Sequence, residues 1–146
     1  MPLRPVKELL HDARANGYAV GYFESWNLES LQGGIDAAEA TYSPILIGFN
    51  GDFLSHPLRL AHERLSWYAA LGKAAAESAK VPCGLIFNEC AQDDWIKCAI
   101  RAGFNQVMLD APAAPHDEYV RRVKELTTYA HQHGVAVEAG VGHLPC

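Results

Sequence analysis

Five short apolar runs punctuate the chain: Tyr18–Phe23, Pro44–Gly48, Pro82–Phe87, Gln106–Asp110 and Val135–Glu138. Each is apolar nearly throughout instead of alternating, the pattern of parallel strands covered on both faces. Longer stretches with a helical period lie between them. Val120, Val123, Leu126, Thr127 and Ala130 form one apolar stripe, with Arg121, Lys124 and Glu125 turned to water. Trp95, Ile96, Ala99 and Ile100 form another, preceded by Asp93 and Asp94, acids that suit a helix amino terminus.

The junctions repeat. Asn16-Gly17-Tyr18, Ala102-Gly103-Phe104 and His133-Gly134-Val135 each read as a helix end, a left-handed glycine and the start of a strand. The predicted order is one helix followed by β-α-β-α-β-α-β-α-β, a single domain over residues 1–146. Gly48–Pro57 is expected to be a loop after the second strand. Successive right-handed βαβ units fit this order. Two architectures accept it: an open doubly wound sheet, and part of a (β/α)8 barrel, which takes about 250 residues when complete. The pattern by itself leans towards the open sheet.

Composition narrows the partners. The chain has 12 Lys+Arg against 17 Asp+Glu, a formal charge of −5, so no nucleic acid backbone is expected to bind it. No apolar run approaches the roughly 20 residues that cross a bilayer, and charges break up the start Met1–Asp12. No membrane association and a cytoplasmic location are therefore expected. Cys83, Cys90, Cys98 and Cys146 include no C-x-x-C. They are expected to be reduced and mostly buried, with Cys90 and Cys98 sharing a helix face. No GxGxxG, P-loop or Ser/His/Asp constellation is present.

Local motifs carry more. The opening Met1-Pro2-Leu3…Lys7-Glu8-Leu9-Leu10…Asn16-Gly17-Tyr18-Ala19-Val20-Gly21…Phe23, then Ser43-Pro44-Ile45-Leu46, resemble class II, metal-dependent ketose-bisphosphate aldolases of the fructose-bisphosphate aldolase family. The likeness is strongest over Ile96–Phe104, Val107–Asp110 and Tyr129–Ala139. It spans the whole chain in order. It implies an α/β fold of parallel (β/α) repeats, the amino-terminal half of a TIM (β/α)8 barrel with about five strands.

The same resemblance implies altered chemistry. After the third strand the family carries H-L-D-H-G, with the aspartate as acid/base and the second histidine on zinc. Here the five positions read Ile86-Phe87-Asn88-Glu89-Cys90. An amide cannot shuttle a proton at neutral pH. The family's F-N-V-N-N becomes Phe23-Glu24-Ser25-Trp26-Asn27, and its polar pair after strand two becomes Gly48 and Asn50. Its second glutamate after strand five is Gly140, while Glu138 and Asp110 are kept.

Asn88, Glu89 and Asp110 are thus the candidate catalytic positions, Glu24 and Asn50 the candidate substrate contacts, and Glu89 and Asp110 the candidate metal ligands. Carboxylates crowded at one mouth raise one another's pKa or recruit a cation, and oxygen donors suit Mg²⁺ or Mn²⁺ better than the family's zinc. The competing reading makes Glu24 and Glu89 solvated loop acids. Glu138, in an apolar strand, is expected to pair with a polar neighbour. His131 and His133 suit a helix carboxyl end, His143 is a conceivable ligand after strand five, and Trp26 either stacks on a sugar or plugs the barrel top.

The inherited reaction is reversible aldol cleavage of a phosphorylated ketose, an aldehyde-lyase activity expected to be weak or absent in this chain alone. The alternative is a catalytically dead structural or regulatory half-barrel. Half a barrel exposes strand edges and apolar surface, so association with itself or with a second-half partner is expected.

Overall fold

The computed structural model describes residues 2–59 and 63–141. Helix α1 (Val6–Asn16) precedes β1 (Gly21–Glu24), α2 (Leu28–Ala40), β2 (Ile45–Asn50), the short α3 (Gly51–Ser55) and α4 (Leu65–Ser78). Then come β3 (Cys83–Cys90), α5 (Asp93–Ala102), β4 (Gln106–Leu109), α6 (His116–Gln132) and β5 (Ala136–Glu138). All strands are parallel, and their order in the sheet is β1-β2-β3-β4-β5. A doubly wound sheet reverses direction at a switch point. This one never reverses, so the chain forms a curled half of a TIM-barrel-like α/β fold.

The helix ends follow their local chemistry. At α2, Asn27 Oδ1 accepts from the Ser30 amide while Ser30 Oγ accepts from the Asn27 amide, a reciprocal cap. Gly17, Gly103 and Gly134 all take positive φ at the predicted helix-to-strand junctions.

The two sheet faces differ. Ile45, Ile47, Phe49, Leu85, Phe87, Val107 and Leu109 point outward into the helical layer and are buried. Phe87, Phe49 and Phe104 meet edge to face in its centre. The inner face has a smaller apolar cluster, Val6, Leu9 and Leu46, where α1 floors the half-barrel. Residues 2–4 anchor that floor: the Cys83 amide donates to Pro2 O at 2.7 Å and the Arg4 amide to Cys83 O at 2.8 Å. Asn105 completes the tie, accepting from the Leu85 amide and donating to Arg4 O.

Several expectations need correction. Tyr18–Val20 precede the first strand instead of belonging to it, because Tyr18 is still held to the end of α1 through Ala13 O and Asp12. The loop after β2 contains a helix, α3, capped by Asn50. Cys83 and Cys90 are buried, but Cys98 is exposed, and Cys90 ends a strand while Cys98 lies in α5, so they share no helix face. Val120 is exposed because nothing among the described residues packs beyond α6. Strands β1 and β5 are half-covered at best, since they are edges of the sheet. Among the described residues, no helix is long and apolar enough to cross a membrane.

Candidate functional site

Parallel strands of such a half-barrel send alternate side chains inward, and their carboxyl ends form the mouth. On β1, Tyr22 and Glu24 share the inner face, and the Tyr22 hydroxyl donates to Glu24 Oε2 at 3.2 Å. On β2 and β3, Asn50 and Asn88 stand in register. Asn88 is buried, and its Nδ2 reaches Glu24 Oε2 at 3.5 Å.

Glu89 is the unusual residue. Its φ of 49° is left-handed, and the β3–β4 register slips between Phe87 and Cys90. A bulge of this kind breaks the in-out alternation. Asn88 and Glu89 therefore both reach the mouth, while Phe87 and Cys90 remain in the outer core. Left-handed backbone is disfavoured for a residue with a Cβ, at a cost of about 1–3 kcal/mol.

Asn50 holds Glu89 in place. Its Nδ2 donates to Glu89 Oε2 at 2.9 Å and its Oδ1 accepts from the Phe53 amide at 2.8 Å, so one amide caps α3 and orients the acid. Asp52 links the same helix to the segment after β3 by accepting from the Ala91 amide at 2.9 Å. Burial raises the Glu89 pKa above its ordinary value, and the Glu24, Asp110 and Asp52 charges add to the rise; the Asn50 bond opposes it. Burial likewise pushes Tyr22 up, helped by Glu24, Glu89 and Glu138, so its phenol stays a protonated donor. The Cys90 thiol is pushed up to about 11 by burial, which makes it an inert packing group.

Lower on the inner face, Gln106 Nε2 donates to Glu138 Oε2 at 2.7 Å. This is the polar pairing expected for Glu138, although Glu138 is exposed and Gln106 is the buried partner. The opposite amide atom, Gln106 Oε1, is buried without a hydrogen-bond partner among the described residues. Asp110 follows β4, its amide donating to Cys90 O at 3.2 Å. It also borders a cavity of about 650 Å³ between α6 and the segment after β5, lined by Pro112, Tyr119, Val123 and Val141 among others. That cavity lies at the open edge, beside the mouth.

Glu24 with Asn88 and Asn50 with Glu89 thus form two bonded pairs across β1, β2 and β3, and the charges of Glu24 and Asp110 act on Glu89. Trp26 is exposed and packs edge-to-face on Phe53 at 4.6 Å, at the rim. His131 lies in the last turn of α6 and His133 caps it. His143 lies outside the described residues. Tyr22, Gln106 and Asp52 were not singled out from sequence. The first two were accessible to it, since Tyr22 is two residues before Glu24 and Gln106 four before Asp110, the same-face spacing of a strand.

The model of the family described as fructose-bisphosphate aldolase class-II matches residues 4–145. The chain belongs to the class II fructose-bisphosphate aldolase family. The fructose-bisphosphate aldolase of Staphylococcus aureus strain N315 is 33% identical over 147 residues, covering 97% of this chain and 49% of that protein. That of Giardia intestinalis is 35% identical over 144 residues, covering 99% and 43%. Among solved structures, the YdjI aldolase of Escherichia coli K12 superposes with a TM-score of 0.81 at 31% identity, over 94% of this chain and 50% of that one. The Campylobacter jejuni fructose-bisphosphate aldolase, at 20% identity and a TM-score of 0.77, shares the fold. The chain spans about half the length of the aldolases it matches.

Class II aldolases depend on a divalent metal, and the described part of this one does not fit such an ion. Among the described residues, no three His, Cys, Asp or Glu side chains are grouped to hold a metal. Glu89 and Asp110 offer oxygen only, and one Glu89 oxygen is engaged by Asn50. Nor can a polar side chain return at Gly48 within this sheet: its Cβ would lie 2.1 Å from the Ile86 carbonyl oxygen.

Proposed function

We propose that this chain is an aldolase-like half-barrel whose mouth has exchanged proton transfer and zinc binding for a hydrogen-bonded acid–amide cluster, and that alone it has little or no activity in reversible aldol cleavage of a phosphorylated ketose. The carrying observation is Asn88, where the resemblance places the acid/base. It is a buried amide that bonds Glu24. Catalysis by a positioned acid or base is worth about 10²–10⁴-fold, and an amide supplies none of it.

Charge supports the same reading. The five strands carry three charged residues, Glu24, Glu89 and Glu138, and none of their residues is Lys or Arg. Such a face repels a sugar phosphate unless cations arrive from elsewhere. Activity therefore belongs to a completed barrel, in which Glu89 and Asp110 contribute oxygen donors that favour Mg²⁺ or Mn²⁺ over zinc, and Glu24 and Asn50 face the substrate. A cytoplasmic setting accords with free thiols at Cys83, Cys90 and Cys98.

The purified chain decides this in a coupled assay of fructose 1,6-bisphosphate cleavage with zinc, magnesium or manganese added. The expected rate is at least about a hundredfold below that of a full-length relative, with no stoichiometric zinc by elemental analysis. Turnover comparable to the relative's would overturn the proposal. A completed barrel that gains neither metal nor ligand-dependent stabilisation, with or without Glu89→Gln, would instead establish the structural or regulatory alternative.

A further inference from the structure

Glu89 holds a backbone conformation that its own side chain does not account for. A residue with a Cβ stays left-handed only where its surroundings over-determine it. Its carboxylate has one side-chain bond, to Asn50. The neighbouring strand does not fix it either. Between the pairs Phe87–Val107 and Cys90–Leu109, β3 advances three residues while β4 advances two. An extra residue of this kind could slide along β3 by a shift of register. What pins it at Glu89 must lie in the residues just beyond.

Ala91 is gripped at both of its polar backbone atoms by side chains from other elements. Its amide donates to Asp52 Oδ1 of α3 at 2.9 Å. Its carbonyl accepts from Arg122 Nη2 of α6 at 2.6 Å. Each bond has a charged partner, the stronger class of hydrogen bond. Cys90 O, one residue earlier, accepts from the Asp110 amide at 3.2 Å.

The gripping side chains are themselves held. Gly51 lets α3 settle on β3, since a Cβ there would lie 2.4 Å from Cys90 Cβ. Ser55 O fastens the other end of α3 by accepting from Gln92 Nε2 at 3.1 Å. The Arg122 side chain is only 16% exposed, and Asp93 at the start of α5 fixes it through Nη2 at 2.5 Å and Nε at 3.2 Å. An ion pair that served α5 alone would end at Asp93. Arg122 instead shares Nη2 between Asp93 and the Ala91 carbonyl.

We propose that Asp52 and Arg122 are positioning residues for Glu89: from α3 and α6 they clamp Ala91, and so lock the extra residue of β3 where it turns Glu89 to the mouth. This rests on the reading of Glu89 as a mouth residue given above. The clamp is nevertheless measured without metal, substrate or turnover, so the two readings fail separately.

NMR of the isotope-labelled full chain reads the turn directly. A left-handed residue brings its amide hydrogen close to its own Hα and gives a strong cross-peak between them, whereas an extended residue gives a weak one. In the parent, Glu89 is expected to show the strong cross-peak and Leu85, in the regular part of β3, the weak one. Asp52→Ala/Arg122→Met removes both grips and is expected to reduce the residue 89 cross-peak to the level of Leu85. Each single substitution is expected to weaken it. Asp52→Asn keeps an acceptor oxygen and is expected to retain it. Ile35→Ala, buried in α2 and remote from the clamp in sequence, is expected to lower the urea midpoint and leave the cross-peak unchanged. If the double variant does not fold, the two single variants decide. A strong cross-peak that survives loss of the grips overturns the proposal, as does a weak one in the parent. Its loss in Asp52→Asn or in Ile35→Ala also overturns it, since the turn would then report stability and not the clamp. Good turnover in the cleavage assay above would overturn the reading of the mouth and leave this result standing.

Discussion

The outward face of the sheet and its inward face are made from the same strands, residue by residue, yet different demands shape them. Outward, Ile47, Leu85, Phe87, Val107 and Leu109 are fully buried against α2, α4, α5 and α6, and volume alone decides which residue is acceptable. Inward, above the floor made by α1, the same strands present Tyr22, Glu24, Asn50, Asn88, Gln106 and Glu138, whose value lies in their partners. The outward face is closed over β2, β3 and β4, with only the edge residue Phe23 left exposed beside β1. The inward face above α1 is polar, and its residues are held by hydrogen bonds instead of by packing.

Substitutions can break this contrast. The largest expected effect is Phe87→Ala, which empties the centre of the aromatic cluster and costs about 3–5 kcal/mol, whereas its neighbour Asn88→Ala costs only about 1 kcal/mol. Urea unfolding midpoints measure both, and equal losses would mean that the two faces are alike. Next is Glu138→Ala, which strips buried Gln106 of its remaining side-chain partner and costs about 1–3 kcal/mol. A loss no greater than at the exposed Glu29 would show the inner face to be open to solvent.

The smallest effect is a pH dependence. Because the Glu89 pKa is raised in the folded protein, the folded state binds its proton more readily than the unfolded state does. Glu89 therefore costs stability above its folded pKa, and the cost disappears as pH falls towards its ordinary value of 4.5. Glu89→Gln should be the more stable protein at pH 7, with the gap closing on acidification. Glu39 has the opposite sign: Lys80 holds its pKa low, so its contribution is lost only as pH falls through that lowered value. A gap between parent and Glu89→Gln that does not change with pH would refute the placement of Glu89 among like charges.

The fold was largely legible because its signals are local: apolar runs marked the five strands, and glycines that must adopt positive φ marked three helix ends. The loop containing α3 was not. A five-residue helix has too little periodicity to read, and its cap is Asn50, a residue otherwise counted with the mouth. The candidate site was legible as positions but not as bonds. Nothing in Asn88-Glu89 announces a left-handed residue, and without that turn strand alternation would send Glu89 outward into the helical layer. Gln106 escaped notice because its importance comes from Glu138, which lies far along the chain and meets it only once β4 and β5 are neighbours.

The irregularity at Glu89 also separates two kinds of change that a regular strand would couple. In an unbroken strand, neighbouring residues answer to opposite faces, so rewriting a pair at the rim disturbs the packing behind it. Here two consecutive rim residues can be replaced together while Phe87 and Cys90 keep their seats. New ligands, histidines included, could be installed at positions 88 and 89 without reopening the interior, and where only position 88 is to carry one, glycine or asparagine at 89 would relieve the backbone.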